Sequence, residues 1–325
     1  MGSQPLTDRL LAALDADDEA DAVAALERCR DADVDVRKDA LRALRDRAAD
    51  HPDTLAPIVS DLTAFLTDTD RAVRLIAAKL FAALADATPA HVRPVVPDLA
   101  ERLADPDEFR YVRARSAEAI GRVADVYPSD AVTPEVVADL LLGLDDATDD
   151  DVAGRFALAV ERVALGDPSR LRHHAERLAR HLDADGDLAR YHLCTALAAI
   201  GCEHPDALAD ARDALGDAID DDDPWVRARA AEALGLLARS DAGDALPDAL
   251  ATRRDDDPCV AARARFALGD ADASDADDLG SIDGLRRTTA DAAESIAAPD
   301  SECPNCGLAL PDAGPPMCPR CGAPY

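Results

Sequence analysis

Aromatic residues make up only 3% of the 325-residue chain, with a single tryptophan, and lysine occurs only at Lys38 and Lys79. Strand cores draw on aromatic and β-branched side chains, so this scarcity argues against a sheet protein. No uncharged apolar run approaches the roughly 18 residues of a membrane span, so no membrane partner is expected. The first twenty residues, MGSQPLTDRLLAALDADDEA, lack the basic start and apolar core of a secretory signal, and a cytoplasmic protein is expected. GxxxxGKS/T, GxGxxG, GxSxG and HExxH are also missing. With them go the common phosphate, dinucleotide, hydrolase and metalloprotease sites.

What is present is repetition. Alanine and leucine dominate the apolar residues, and the stretch Asp221 to Gly235, DDDPWVRARAAEALG, sets out a plan of acidic turn, helix-starting proline, Val-Arg pair and Ala/Leu face. Its apolar position recurs as Val36-Arg37, Val73-Arg74, Val112-Arg113, Val152-Ala153, Leu188-Ala189, Val226-Arg227 and Val260-Ala261. The spacings are 37, 39, 40, 36, 38 and 34 residues. A period near forty with two helices per unit is the sign of an all-α chain built as an alpha solenoid.

The expected helix pairs are 18–29 with 34–49, 53–67 with 71–86, 89–104 with 108–127, and 134–144 with 150–165. They continue as 168–182 with 187–202, 205–219 with 224–239, and 242–250 with 258–269. Prolines fall at helix starts, where a missing N–H costs nothing. Residues 1–17 supply a capping helix, 18–270 the solenoid, and 271–302 an acidic linker with a possible helix at 283–297 that could cover the short last repeat. Residues 303–325 form a separate small module.

These units, with Asp in the turn and Val-Arg opening the second helix, resemble HEAT repeats, including those of bilin-lyase-like HEAT proteins. The resemblance implies a curved superhelix whose second helices line the concave side. It also implies an arginine ladder to neighbouring turn aspartates, with Arg37, Arg74, Arg113 and Arg227 as rungs and interruptions at Ala153, Ala189 and Ala261. The relatives include enzymes, among them a di-iron hydroxylase with His-Glu ligand pairs, but no His-Glu dipeptide occurs in this chain. Fold alone does not carry bilin-lyase activity across. His173, His174, Glu176 and His181 lie close in sequence, but no second ligand pair for a metal accompanies them.

The seven second helices carry twenty basic residues against twelve acidic ones, although the whole chain has a formal net charge of -31. Either the arginines pair with turn aspartates and lay their stems over apolar surface, or they line a groove for an acidic ligand. Arg74, Arg113, Arg115, Arg227 and Arg229, with Trp225, are the candidate partner-contacting residues. The expected partner is a protein, which makes the chain a non-enzymatic scaffold; a nucleic acid is the alternative. High net charge favours a monomer.

Cys303-Pro-Asn-Cys306-Gly and Cys318-Pro-Arg-Cys321-Gly are the sharpest chemical signal. Two CxxC turns bring four thiolates into a tetrahedron with no position open to water, which describes a structural zinc site. The segment resembles the short zinc ribbons built on paired CPxCG knuckles, which implies one Zn2+ held by Cys303, Cys306, Cys318 and Cys321. The ribbon's only charged side chains are Asp312 and Arg320, too little basic surface for nucleic acid. Cys29, Cys194, Cys202 and Cys259 are scattered through helical stretches and read as small core residues.

Abundant aspartate with almost no lysine resembles the proteins of salt-in haloarchaea. If the turns are adapted to strong screening, aspartate repulsion should loosen the solenoid in dilute buffer. The melting temperature is therefore expected to rise steeply with salt, and one indifferent to salt would remove the halophile reading.

Overall fold

The structure is a computed structural model, and it describes residues 5–184, 186–242, 246–270 and 278–296. Among these residues all regular structure is helical. The principal helices are α1 (Leu6–Asp15), α2 (Glu19–Arg30), α3 (Val34–Asp50), α4 (Arg71–Ala87), α5 (Val96–Ala104) and α6 (Arg110–Val126). They continue as α7 (Pro134–Asp145), α8 (Asp150–Gly166), α9 (Asp187–Glu203), α10 (Pro224–Leu237), α11 (Pro258–Leu268) and α12 (Ile282–Ile296). The chain divides into two compact units, one within Met1–Asp139 and the other within Leu140–Pro299.

The turn aspartates start the helices. Asp18, Asp33, Asp70, Asp223 and Asp257 each accept a backbone N–H from the first turn that follows, at 2.8 to 3.1 Å. This satisfies donors that have no partner inside the helix and sets a carboxylate at the positive end of the dipole. Each of these acidic turns thus supplies one helix cap.

The second helices are regular: α3, α4, α6, α8 and α9 are each 17 residues long. Consecutive ones pack on one another, α3 on α4 and α4 on α6 in the first unit, α8 on α9, α9 on α10 and α10 on α11 in the second. Alanine permits the close approach, with Ala77, Ala78, Ala117, Ala159, Ala198 and Ala230 all fully buried. Phe65, Phe81, Tyr111, Phe156 and Tyr191 fill the wider gaps. Cys29 and Cys194 are buried as free thiols, and burial pushes Cys194 up to about 12.

The first helices depart from expectation. The second repeat replaces one continuous helix by a 3-10 turn at Pro52–Ile58, a short helix at Val59–Leu62 and a further 3-10 turn at Thr63–Thr67. The third breaks at Arg93–Val95 before α5. Pro57, Pro94 and Pro97 explain both breaks, because a ring in place of the N–H removes a helical bond and crowds the preceding turn. Prolines here mark starts and breaks alike. In the first half of the fifth repeat only Pro168–Arg170 and Ala175–Ala179 are helical, and in the seventh the first helix shrinks to Ala249–Thr252.

Leu10, Ala13 and Leu14 of α1 pack on α2 and α3. Helix α12 returns to the second unit, where its principal neighbours are α9 and α8, not the outer side of the last repeat. The four cysteines of the expected zinc ribbon lie outside the described residues.

Second helices approach closely enough to forbid side chains at particular glycines. A Cβ at Gly235 in α10 would stand 2.8 Å from the Cα of Ala267, whereas one at Gly154 in α8 would meet only Leu188, at 4.0 Å. Gly235→Ala is expected to destabilise by about 1–3 kcal/mol, because overpacking against backbone outweighs the propensity gain. Gly154→Ala should be neutral or stabilising. Thermal melting of the two variants checks this; equal behaviour would contradict the packing.

Candidate functional site

The residue four places after each N-cap recurs at the same place in the second helices, identified by its backbone bond to that cap: Arg37, Arg74 and Arg113 in the first unit, and Ala153, Arg190, Arg227 and Ala261 in the second. Each arginine reaches a carbonyl of its own preceding turn or first helix and, in four cases, a carboxylate of the next turn. Arg37 donates to Ala32 O at 2.7 Å and approaches Asp68 Oδ2 at 2.8 Å. Arg74 donates to Asp68 O and, through Nε and Nη2, to both oxygens of Glu108 at 2.8 and 2.9 Å. Arg190 binds Ala184 O and Asp221, and Arg227 binds Asp221 O and Asp256. Arg113 donates to Leu103 O at 3.0 Å. Burial pushes Asp139 up, and the charge of Arg113 opposes that rise.

The expected interruption at Ala189 is therefore a misregister. Gly186, not an aspartate, caps α9, so the Leu188-Ala189 alignment runs one residue early and the rung is Arg190. Corrected, the spacings become 37, 39, 40, 37, 37 and 34. Ala153 and Ala261 remain true gaps. Arg74, Arg113 and Arg227 are occupied by these bonds, so as candidate partner contacts they act first as structural ties.

Two residues further along each helix lies a second basic column, which the sequence reading recognised only in Arg115 and Arg229. It is Arg115 in the first unit, and Arg155, His192, Arg229 and Arg263 in the second. Each has an acidic partner: Arg115 with Glu118, Arg155 with Asp151, His192 with buried Glu161 at 2.7 Å, and Arg229 and Arg263 both with Glu232 Oε2 at 2.8 Å. Alignment on the caps would have found it; alignment on Val-Arg pairs hid the shift at α9.

Arg229 needs correction as an exposed partner contact, because it is only 2% accessible. What covers it is α12. Its Nη2 donates to Thr288 Oγ1 at 2.6 Å and lies 3.2 Å from Leu285 O, 3.4 Å from Thr289 Oγ1 and 3.3 Å from Tyr191 Oη. The nearby Glu232 carboxylate, held below the usual range by Arg229 and Arg263 against its burial, accepts Gly280 N through Oε1 at 2.9 Å. Arg286 Nη2 adds a bond to Leu165 O at 2.8 Å.

Trp225 is half-buried in the first turn of α10, where its N–H is donated to Asp223. His181 Nε2 lies 2.8 Å from Asp145 Oδ1 beside Arg177, and His173 lies against Arg172. No cluster able to hold a metal occurs among the described residues. A cavity of about 440 Å³ opens beside Arg227 between Asp220, Asp222, Thr252 and Asp255. Its walls also include Asp221 and Asp256, which are already bound to Arg190, Arg227 and Arg253.

Residues 175–269 match the HEAT repeats family. Among solved structures, one engineered protein superposes with a TM-score of 0.67 at 21% identity, covering 90% of this chain and 84% of its own. A second engineered protein gives 0.56 at 23%, covering 65% and 95%. A designed armadillo repeat protein gives 0.55 at 19%, covering 65% and 98%. No curated protein matches the chain in sequence. The fold is an alpha solenoid of HEAT/armadillo-like repeats.

The Arg227 rung has a pH signature. Its hydrogen bonds to Asp256 hold that carboxyl at about 2, below the ordinary 3.8. A depressed carboxylate stabilises the fold fully above its unfolded pKa and loses that contribution as pH falls through the folded one. Arg227→Ala is expected to lower the melting temperature near neutral pH, with the gap from wild type narrowing as pH drops from 3.8 towards 2. Melting curves across that range test it, and a gap that stays constant would deny the pairing its role.

Proposed function

We infer that the chain is a non-enzymatic scaffold that binds a protein partner along the second helices of its repeats, with a zinc-holding C-terminal ribbon as a second contact. The observation that carries this reading is the engagement of α12 by the second unit: the face formed by α8, α9 and α10 already binds a helix, through Arg229 and a buried carboxylate. Repeat surfaces of this kind are extended and modular, which suits macromolecular partners better than small substrates.

The ribbon rests on sequence chemistry. Four thiolates in two CPxCG turns match tetrahedral zinc and leave no site for catalytic water. A rigid contact joined to a repeat surface by a chain segment raises the effective concentration of one for a partner held by the other. Among the described residues no helix is long and apolar enough to cross a membrane. The acidic surface fits a medium of high salt, where screening weakens self-repulsion.

Two measurements test the proposal. Metal analysis of the purified chain is expected to return zinc, lost when Cys303 and Cys318 are replaced by serine; iron, or no metal, would remove the ribbon assignment. Affinity capture at high salt is expected to recover a defined protein, in lower yield with the double cysteine variant. Recovery of nucleic acid alone would overturn the scaffold.

A further inference from the structure

The buried face of α12 is narrow. Leu285, Thr289 and Ala292 are 0 to 1% exposed, and Gly284 is buried beside them, so among the described side chains Leu285 is the one large apolar residue fully buried, with Ile282 and Ile296 half-buried. The remaining attachment is polar and centres on one guanidinium. Arg229 and Arg263 share one oxygen of Glu232, which leaves an excess positive charge at a site from which α12 excludes water. Among the described side chains, what α12 offers that charge is neutral: a threonine hydroxyl at 2.6 Å and a backbone carbonyl at 3.2 Å. A buried charge is held best by a full counter-charge, and charge-assisted bonds are roughly twice as strong as neutral ones. By this measure α12 is an imperfect ligand for its own receptor.

Its docking also depends on a tight approach. Gly280, at φ 71°, lies just before the helix, and a Cβ there would stand 2.8 Å from the Phe266 ring and 3.0 Å from Leu236 Cδ2. A left-handed conformation with no room for a side chain is a position only glycine fills without strain. The segment from 271 to 277 that leads to it consists of Ala, Asp and Ser alone.

We propose that the α8–α9–α10 face around Arg229 is a receptor for a short helix, that α12 occupies it as a displaceable internal ligand, and that the partner it fits is a protein helix carrying a carboxylate where α12 has Thr288. That partner presents an apolar residue at the Leu285 position and a small one at the Ala292 position, seven residues on, so that the two share a face. Its carboxylate pairs with Arg229 and supplies the counter-charge that the hydroxyl does not. Binding frees α12. The proposal deepens the scaffold reading and rests on it for the existence of such a partner.

The experiment uses the full-length chain, wild type and Gly280→Ala, titrated with labelled peptides of residues 278–296, one with the native sequence and one with Thr288→Asp. Amide exchange over 282–296 is expected to be at least tenfold faster in Gly280→Ala, with α9 and α10 unchanged. The native peptide should bind that variant at least tenfold more tightly than wild type. The Thr288→Asp peptide should bind more tightly still, and Arg229→Gln in the full chain should abolish its advantage. Leu285→Asp in the chain serves as a second releasing variant. Failure of both peptides to bind once α12 exchanges freely overturns the proposal. So does exchange of α12 only together with the whole unit in both variants, since a helix that opens only by global unfolding is not displaceable. Peptide binding without capture of any cellular protein would instead count against the scaffold reading and leave the receptor standing.

Discussion

One interaction organises the repeats: an arginine four residues into a second helix, bonded on one side to a carbonyl of its own repeat and on the other to a carboxylate of the next turn. Asp221 shows why the turn is acidic. Its carboxylate receives Arg190 from the preceding repeat and also accepts the backbone N–H of Asp223, which in turn caps α10. Asp68 does the same between Arg37 and Asp70. Helix initiation and repeat-to-repeat registration thus run through the same few atoms. Half-buried pairs of this kind, with Arg227 and Asp256 about 15% exposed, lose less to solvent screening than surface ion pairs do.

The second column uses charge differently. Glu161 with His192, and Glu232 with Arg229 and Arg263, are almost wholly buried. Burying ions costs several kcal/mol each, and replacing such a group by apolar residues is often neutral or better for stability. Stability is therefore a poor reason for the arrangement. Orientation is a better one, because Glu232 holds two guanidiniums with one oxygen and the Gly280 amide with the other, fixing where α12 enters and which of its atoms face Arg229.

Most of the architecture could be read from the residues because two periodic signals coincide, an Ala/Leu helical face and an aspartate at most of the second-helix caps. Where one signal lapsed, the reading slipped. Gly186 in place of an aspartate hid the start of α9, so Leu188-Ala189 took the place of the true pair and Arg190 was lost as a rung. Pro57, Pro94 and Pro97 sit inside stretches whose apolar pattern alone suggests continuous helices. The docking of α12 was beyond sequence reasoning for a different cause: its recognition uses a carbonyl, two hydroxyls and a glycine amide, none of which leaves a periodic trace. Arg229 was among the candidate partner contacts, and what it holds in the structure belongs to the same chain.

The geometry of the rungs also bears on the chain's near-absence of lysine. Arg190 uses Nε and Nη2 on Asp221 and turns Nη1 to Ala184 O, so a single side chain joins two groups on opposite sides at fixed angles. An ammonium group is a point charge on a flexible stem and has no such fork. The scarcity of lysine, which in composition resembles the proteins of salt-in haloarchaea, also fits the geometry of the repeats themselves. A cation that must join a carbonyl behind it to a carboxylate ahead of it has to be planar, and wherever that joint recurs the genetic choice narrows to one residue.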